Sequence, residues 1–101
     1  MVQINWTTQA QNDLEEIKNY ISLDSVKYAE ATVLKLFHSV DILQTNSAIG
    51  RVVPEIQNEN LRELIKGNYR IMYWIVDETR IDILTVHHAK RLLENNPLFF
   101  Q

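Results

Sequence analysis

The apolar residues of this chain keep two different periods, and the change from one to the other falls near its middle. Ala10, Leu14, Ile17 and Ile21 recur every three or four positions, and so do Val26, Ala29, Val33, Leu36, Val40 and Leu43. That spacing lines each set up on one face of a helix. From Arg51 onward, short runs rich in β-branched and aromatic residues take over, as in Tyr69–Val76 and Arg80–His87, and these read as strands. Two helices followed by several strands can bury their apolar faces together only as a helical layer on a sheet. The fold class predicted is therefore α+β.

The boundaries are also legible. Val2–Trp6 reads as a short strand with Val2, Ile4 and Trp6 on one face. Thr8-Gln9-Ala10-Gln11 has the spacing of a capping box, with the Thr8 hydroxyl and the Gln11 amide covering free N–H groups. Ser22-Leu23-Asp24-Ser25 interrupts the helical pattern with cap-forming residues, so the two helices are expected to fold back as a hairpin. Leu34, Phe37 and Ile42 widen the apolar stripe of the second helix and predict that it also touches the sheet. Pro54 stops a short strand at Arg51–Val53, and Gly67-Asn68 suits a tight turn between Leu61–Lys66 and Tyr69–Val76. The expected order is β-α-α-β-β-β, a helical hairpin on a mostly antiparallel sheet, in a single domain over residues 1–101.

Composition narrows the chemistry. The chain has no cysteine, which excludes disulfides, thiolate nucleophiles and cysteine zinc sites. Three scattered histidines with no H-x-x-x-H pair give no metal signature, and no cofactor is expected. The N-terminus lacks the basic and apolar regions of a signal peptide, and no apolar run reaches membrane-span length, so a reducing cytoplasm is the expected compartment. The net charge of −3 disfavours generic nucleic-acid binding. The charges are unevenly spread. Residues 1–50 carry no arginine, and all five arginines lie in residues 51–101, so an anion-facing surface is expected from the second half.

Several segments taken in order match a known family. These are Trp6-x-x-x-Ala10-x-x-Asp13-Leu14-x-x-Ile17-x-x-Tyr20-Ile21, Gly50-Arg51-x-Val53-Pro54-Glu55, Leu61-Arg62-Glu63-Leu64, Gly67-x-Tyr69-Arg70-Ile71-x-Tyr73 and Val86-x-His88-x-x-Arg91. Together they resemble the RelE/ParE toxin superfamily of type II toxin–antitoxin and plasmid stabilisation systems, from about Ile4 to Leu92. Many relatives carry proline before the Gly-Arg pair, where this chain has Asn46-Ser47-Ala48-Ile49, a difference confined to a loop. The resemblance implies a growth-arresting toxin held inactive in a hetero-oligomer by a cognate antitoxin that folds as it binds. RelE-like members cut mRNA in the ribosomal A site, and ParE-like members inhibit DNA gyrase.

Under a RelE-like reading, metal-independent RNA cleavage needs a base, an acid and cations around the phosphorane. Glu55 would be the base, His88 the acid and Arg70 the phosphate ligand, with Arg51 and Arg91 converging on the same anion. Each residue also has a plainer reading. Arg70 could pair with Glu63 across the hairpin, Glu55 could be an isolated surface carboxylate, and Arg51 could cap the sheet edge. Tyr69 and Tyr73 read as core, and Trp74, on the Arg70 face, as cover for the core under the helices or a platform for a base. His38 reads as a partly buried surface residue beside the apolar stripe.

An acidic chain with a thin set of catalytic groups favours the gyrase-directed reading. The ribosome-dependent mRNA nuclease is the alternative, and a non-toxic antitoxin-binding module a third possibility. Whether the chain is an enzyme stays open at this level. So does the tail: Leu98-Phe99-Phe100 after Pro97 suits docking on the chain's own core or a partner interface.

Overall fold

A computed structural model describes residues 1–89 of the chain. Arg91 and the Pro97–Phe100 tail lie outside the described residues. The elements are β1 (Gln3–Trp6), α1 (Thr8–Ser22), α2 (Val26–His38), a 3-10 turn (Asp41–Gln44), β2 (Arg51–Val52), β3 (Leu61–Lys66), β4 (Tyr69–Ile75) and β5 (Arg80–His88). They form one sheet in the order β1-β5-β4-β3-β2. β1 runs parallel to β5, and every other pair is antiparallel. The α+β class holds. The short strand expected at Arg51–Val53 forms at Arg51 and Val52, pairing with Glu63 and Arg62, so with all five strands the order reads β-α-α-β-β-β-β.

Both helices start on side-chain caps, one of them not where the sequence suggests. The cap of α1 is Thr7, whose Oγ1 accepts the Ala10 N–H at 3.2 Å and donates to the Ile83 carbonyl at 2.7 Å. The Gln11 amide donates to the Trp6 carbonyl. Thr7 wins over Thr8 because it also closes the end of the β1–β5 pair. Ser25 caps α2 by accepting the Tyr28 N–H.

α2 stops at His38, earlier than its apolar seam. The Ser39 hydroxyl donates to the Leu36 carbonyl at 2.6 Å, a local bond that competes with continued helix. Val40 and Leu43 still reach the core, but from the turns that follow. Leu34, Phe37 and Ile42 remain exposed, which corrects the expectation that they press α2 onto the sheet. α1 makes the main helical contact with β5, and α2 packs on α1. Phe37 instead stacks on Trp6 with ring centroids 5.4 Å apart. His38 is exposed and lies 3.2 Å from Asp41.

The sheet has two covered faces. Ile71, Tyr73, Ile81, Ile83 and Val86 meet Ala10, Leu14, Leu36, Val40 and Leu43 under the helical layer. On the other face Val53, Leu61 and Met72 form a smaller cluster with Trp74 and Leu84. Trp74 therefore lies on the side away from the helices. Alternation separates two strand faces, but it does not say which one the helices take.

Between β4 and β5 the register jumps. Met72 opposes Thr85 and Tyr73 opposes Ile83, which leaves Leu84 as a bulge. Asp13 of α1 holds this bulge. Its Oδ2 accepts from the Thr85 hydroxyl and from the Val86 N–H at 2.9 Å, and its Oδ1 accepts from the Gln9 amide at 2.8 Å. Hydrogen bonds to a charged group contribute about 1.5–3 kcal/mol. Asp13→Ala should therefore lower the unfolding free energy by an amount in that range, read as a lower denaturant midpoint at unchanged slope. A midpoint equal to wild type would show that the bulge holds without it.

Candidate functional site

Four charged residues separated by up to nineteen positions meet on the sheet face away from the helices. Arg51 of β2 is the register partner of Glu63 in β3, and Arg70 of β4 is the partner of Ile65, two residues along β3 and so on the same face. The Arg70 Nε donates to Glu63 Oε1 at 2.7 Å. Its Nη1 and Nη2 donate to the two oxygens of Glu55 at 2.9 and 3.0 Å, a parallel fork. Arg51 Nε donates to the remaining Glu63 oxygen.

Exposure ranks these groups. The Glu63 side chain is 0% exposed and that of Arg70 7%, against 41% for Glu55 and 60% for Arg51. A fully buried carboxylate is tolerable only with close cations and filled hydrogen bonds, and two arginines supply both. Formally the two guanidiniums and two carboxylates cancel. The hydrogen bonds from Arg70 hold the Glu55 carboxyl below the usual carboxylate range, against an opposing push from burial. Those same bonds, led by the one to Glu55, raise Arg70. Arg70 thus takes the pairing with Glu63 that its spacing suggested, and Glu55 is not isolated.

The loop before β2 is what seats Arg51. Tyr73 is fully buried and reaches under it, accepting the Gly50 N–H at 3.0 Å and donating to the Ser47 carbonyl at 2.7 Å. Burial pushes the Tyr73 phenol up, so it stays protonated and able to donate. Gly50 has no room for a side chain: a Cβ there would lie 2.6 Å from both the Glu63 carbonyl oxygen and the Tyr73 hydroxyl. From outside, Arg62 donates to the carbonyls of Gly50, Ala48 and Glu59. The anchoring roles of Tyr73 and Arg62 have no local signal in the sequence. Both depend on where the 47–50 loop folds back.

The structure brings Arg51, Glu55 and Arg70 together around a cavity of about 440 Å³, rimmed by Ile65 and Ala89. It sets His88 apart from them. His88 opposes Tyr69, with the two rings 5.9 Å apart edge to face, and lines a separate cleft of about 330 Å³ beside Asp13, Glu16 and Tyr20 of α1. His87, buried, is the strand partner of Arg70. A further cleft of about 360 Å³ runs between α2 and the β3–β4 turn, lined by Tyr28, Lys35, Lys66 and Tyr69 among others. Among the described residues no cluster of three or more His, Asp or Glu side chains could hold a metal ion. None of the described helices is long and apolar enough to cross a membrane.

Residues 4–93 match the family model described as the ParE toxin of the type II toxin–antitoxin system parDE. The chain is 33% identical to Toxin RelE2 of Caulobacter vibrioides over 93 residues, which cover 91% of this chain and all of that one. It is equally similar to Toxin ParE1 of Mycobacterium tuberculosis over 89 residues, 86% of this chain and 89% of that one. Its fold matches a chain of the chromosomal ParDE toxin–antitoxin system from P. aeruginosa with a TM-score of 0.73 at 24% identity, covering 89% of this chain and 98% of that one. It also matches a chain of the RelBE2 toxin–antitoxin complex from Mycobacterium tuberculosis with a TM-score of 0.56 at 24% identity, covering 86% of this chain and 96% of that one.

Proposed function

The chain belongs to the ParE toxin family of type II toxin–antitoxin systems, and on that footing we propose that it arrests growth by inhibiting DNA gyrase in the cytoplasm until a cognate antitoxin covers it. One observation carries the choice of target. Arg51 and Arg70, which a nuclease would aim at the scissile phosphate, are engaged by Glu63 and Glu55 in a cluster of zero formal charge. A base for the 2′-hydroxyl is also poorly served. A carboxylate forked to an arginine and held below its usual range accepts a proton reluctantly. His88, the candidate acid, lies beside α1 and not at this cluster. Gyrase inhibition asks for a binding surface and no proton transfer.

The antitoxin is expected to dock along the two clefts that meet at Tyr69. Exposed Tyr20, Leu23, Val26 and Tyr28 at the turn of the helical hairpin offer apolar area to a segment that folds on binding. Lys35 and Lys66 favour acidic residues at one end of that segment.

Purified protein should block gyrase supercoiling and leave mRNA intact in a translation reaction. Codon-phased mRNA cuts with unimpaired gyrase would reverse the reading toward the ribosome-dependent nuclease, the alternative that the likeness to a toxin named RelE2 keeps in view. Expression alone should arrest growth, and co-expression of the antitoxin should restore it. Harmless accumulation of folded protein would instead mark a non-toxic antitoxin-binding module.

A further inference from the structure

We propose that the cavity between Arg51 and Arg70 recognises an acidic side chain of a partner polypeptide, and that Glu55 is a built-in substitute that swings out when the partner's carboxylate arrives. The two carboxylates on Arg70 are not equivalent. Glu63 lies in the middle of a paired strand, fully buried, and also holds Arg51, so it cannot leave. Glu55 sits in the loop after Pro54, is 41% exposed, and meets Arg70 through the outward edge of the guanidinium. The backbone under it is tied down, since the Ile56 and Gln57 N–H groups donate to the Val53 carbonyl at 3.2 and 2.8 Å. Exchange therefore needs a rotation of one side chain and no movement of the loop.

What remains when Glu55 turns away is shaped for a particular ligand. Arg70, Arg51 and Glu63 leave one net positive charge beside a cavity of about 440 Å³. Arg51 is bonded through its Nε, so its terminal nitrogens stay available for a second contact. The present occupant is a planar carboxylate in a parallel fork, and a singly charged group of that geometry replaces it without changing the charge of the site. Ile65, half exposed at the rim, favours an apolar neighbour beside the incoming acid. Because one charge-assisted pair replaces another, Glu55 acts as a competitor that weakens binding and keeps the buried arginine covered until a partner is present.

This inference does not depend on which target the protein inhibits, and its test uses none. Sodium acetate and inorganic phosphate are titrated into the full chain at constant ionic strength while the Arg70 Nε–H resonance is followed. Glu55→Ala should saturate with acetate at a concentration at least tenfold lower than wild type, and adding Arg51→Gln should remove most of that gain. Should Glu55→Ala fail to fold by its amide spectrum, Glu55→Gln is titrated by the same criterion. Equal acetate affinity with and without Glu55 overturns the proposal, because Glu55 is then no competitor. Phosphate binding more than tenfold tighter than acetate overturns it as well, because the site would then select phosphates and not a partner's acid.

Discussion

Arg70→Ala should cost the fold about 3–5 kcal/mol, the range for removing one partner of a buried ion pair. The loss is large because Glu63 stays behind, 0% exposed, with Arg51 as its one remaining cation. Glu55 contributes little to it, since an exposed carboxylate returns to water at small cost. The cause can be separated from simple loss of packing. Glu63→Leu combined with Arg70→Met replaces the buried pair by apolar groups of similar volume, and such replacements are often neutral or stabilising. The double variant should therefore be more stable than Arg70→Ala by at least about 2 kcal/mol in chemical denaturation. A double variant no more stable than the single one would mean that the arginine stem, and not the stranded carboxylate, sets the cost. Either result bears on toxicity assays. For a domain of this size a loss of a few kcal/mol is a large part of the total, so an Arg70→Ala protein that fails to arrest growth must first be shown to be folded.

The same cluster marks where sequence reasoning reaches and where it stops. The two periods of the apolar pattern locate the helices and strands, because burial of one face imposes spacing directly on the chain. Pairing between distant residues leaves no such trace. Hairpin spacing suggests the Arg70–Glu63 pair, but only the β2–β3 and β3–β4 registers show that Glu63 also holds Arg51 and that Glu55 closes on the far side of Arg70. Of the candidate anion-binding set, Arg51 and Arg70 come together with Glu55, while His88 goes to the α1 side. The errors at element ends have local causes. Thr7 and Thr8 are equally good caps by type, and the choice falls to Thr7 because its hydroxyl also reaches β5. α2 ends at His38 because one serine hydroxyl bonds back to the helix, while the apolar seam continues through the turns to Leu43. Asp13 looks like an acid placed by the helix dipole, but its partners are 72 and 73 residues away, at a bulge that no alternation pattern announces.

Although it adds a single methyl group, Gly50→Ala should destabilise the protein clearly, though less than the loss of Arg70. The added Cβ would lie 2.6 Å from the Glu63 carbonyl oxygen and from the Tyr73 hydroxyl, and 2.8 Å from a Tyr73 ring carbon. Neither neighbour can give way easily. The carbonyl belongs to β3, where Glu63 pairs with both Arg51 and Met72, and Tyr73 is fixed by a buried ring and two hydrogen bonds. The loop must move instead, and it carries Arg51 away from Glu63. Overpacking of this kind costs about 1–3 kcal/mol and sometimes more. The displacement also predicts a coupling. Arg51→Gln alone should cost less than about 1 kcal/mol, because Arg51 is largely exposed and solvent screens its pair. In the Gly50→Ala background the same change should cost almost nothing, since the contact it removes is already lost. Additive costs in that cycle would mean that the loop absorbs the methyl group without releasing Arg51, and the role given to Gly50 in seating the arginine would fall with it.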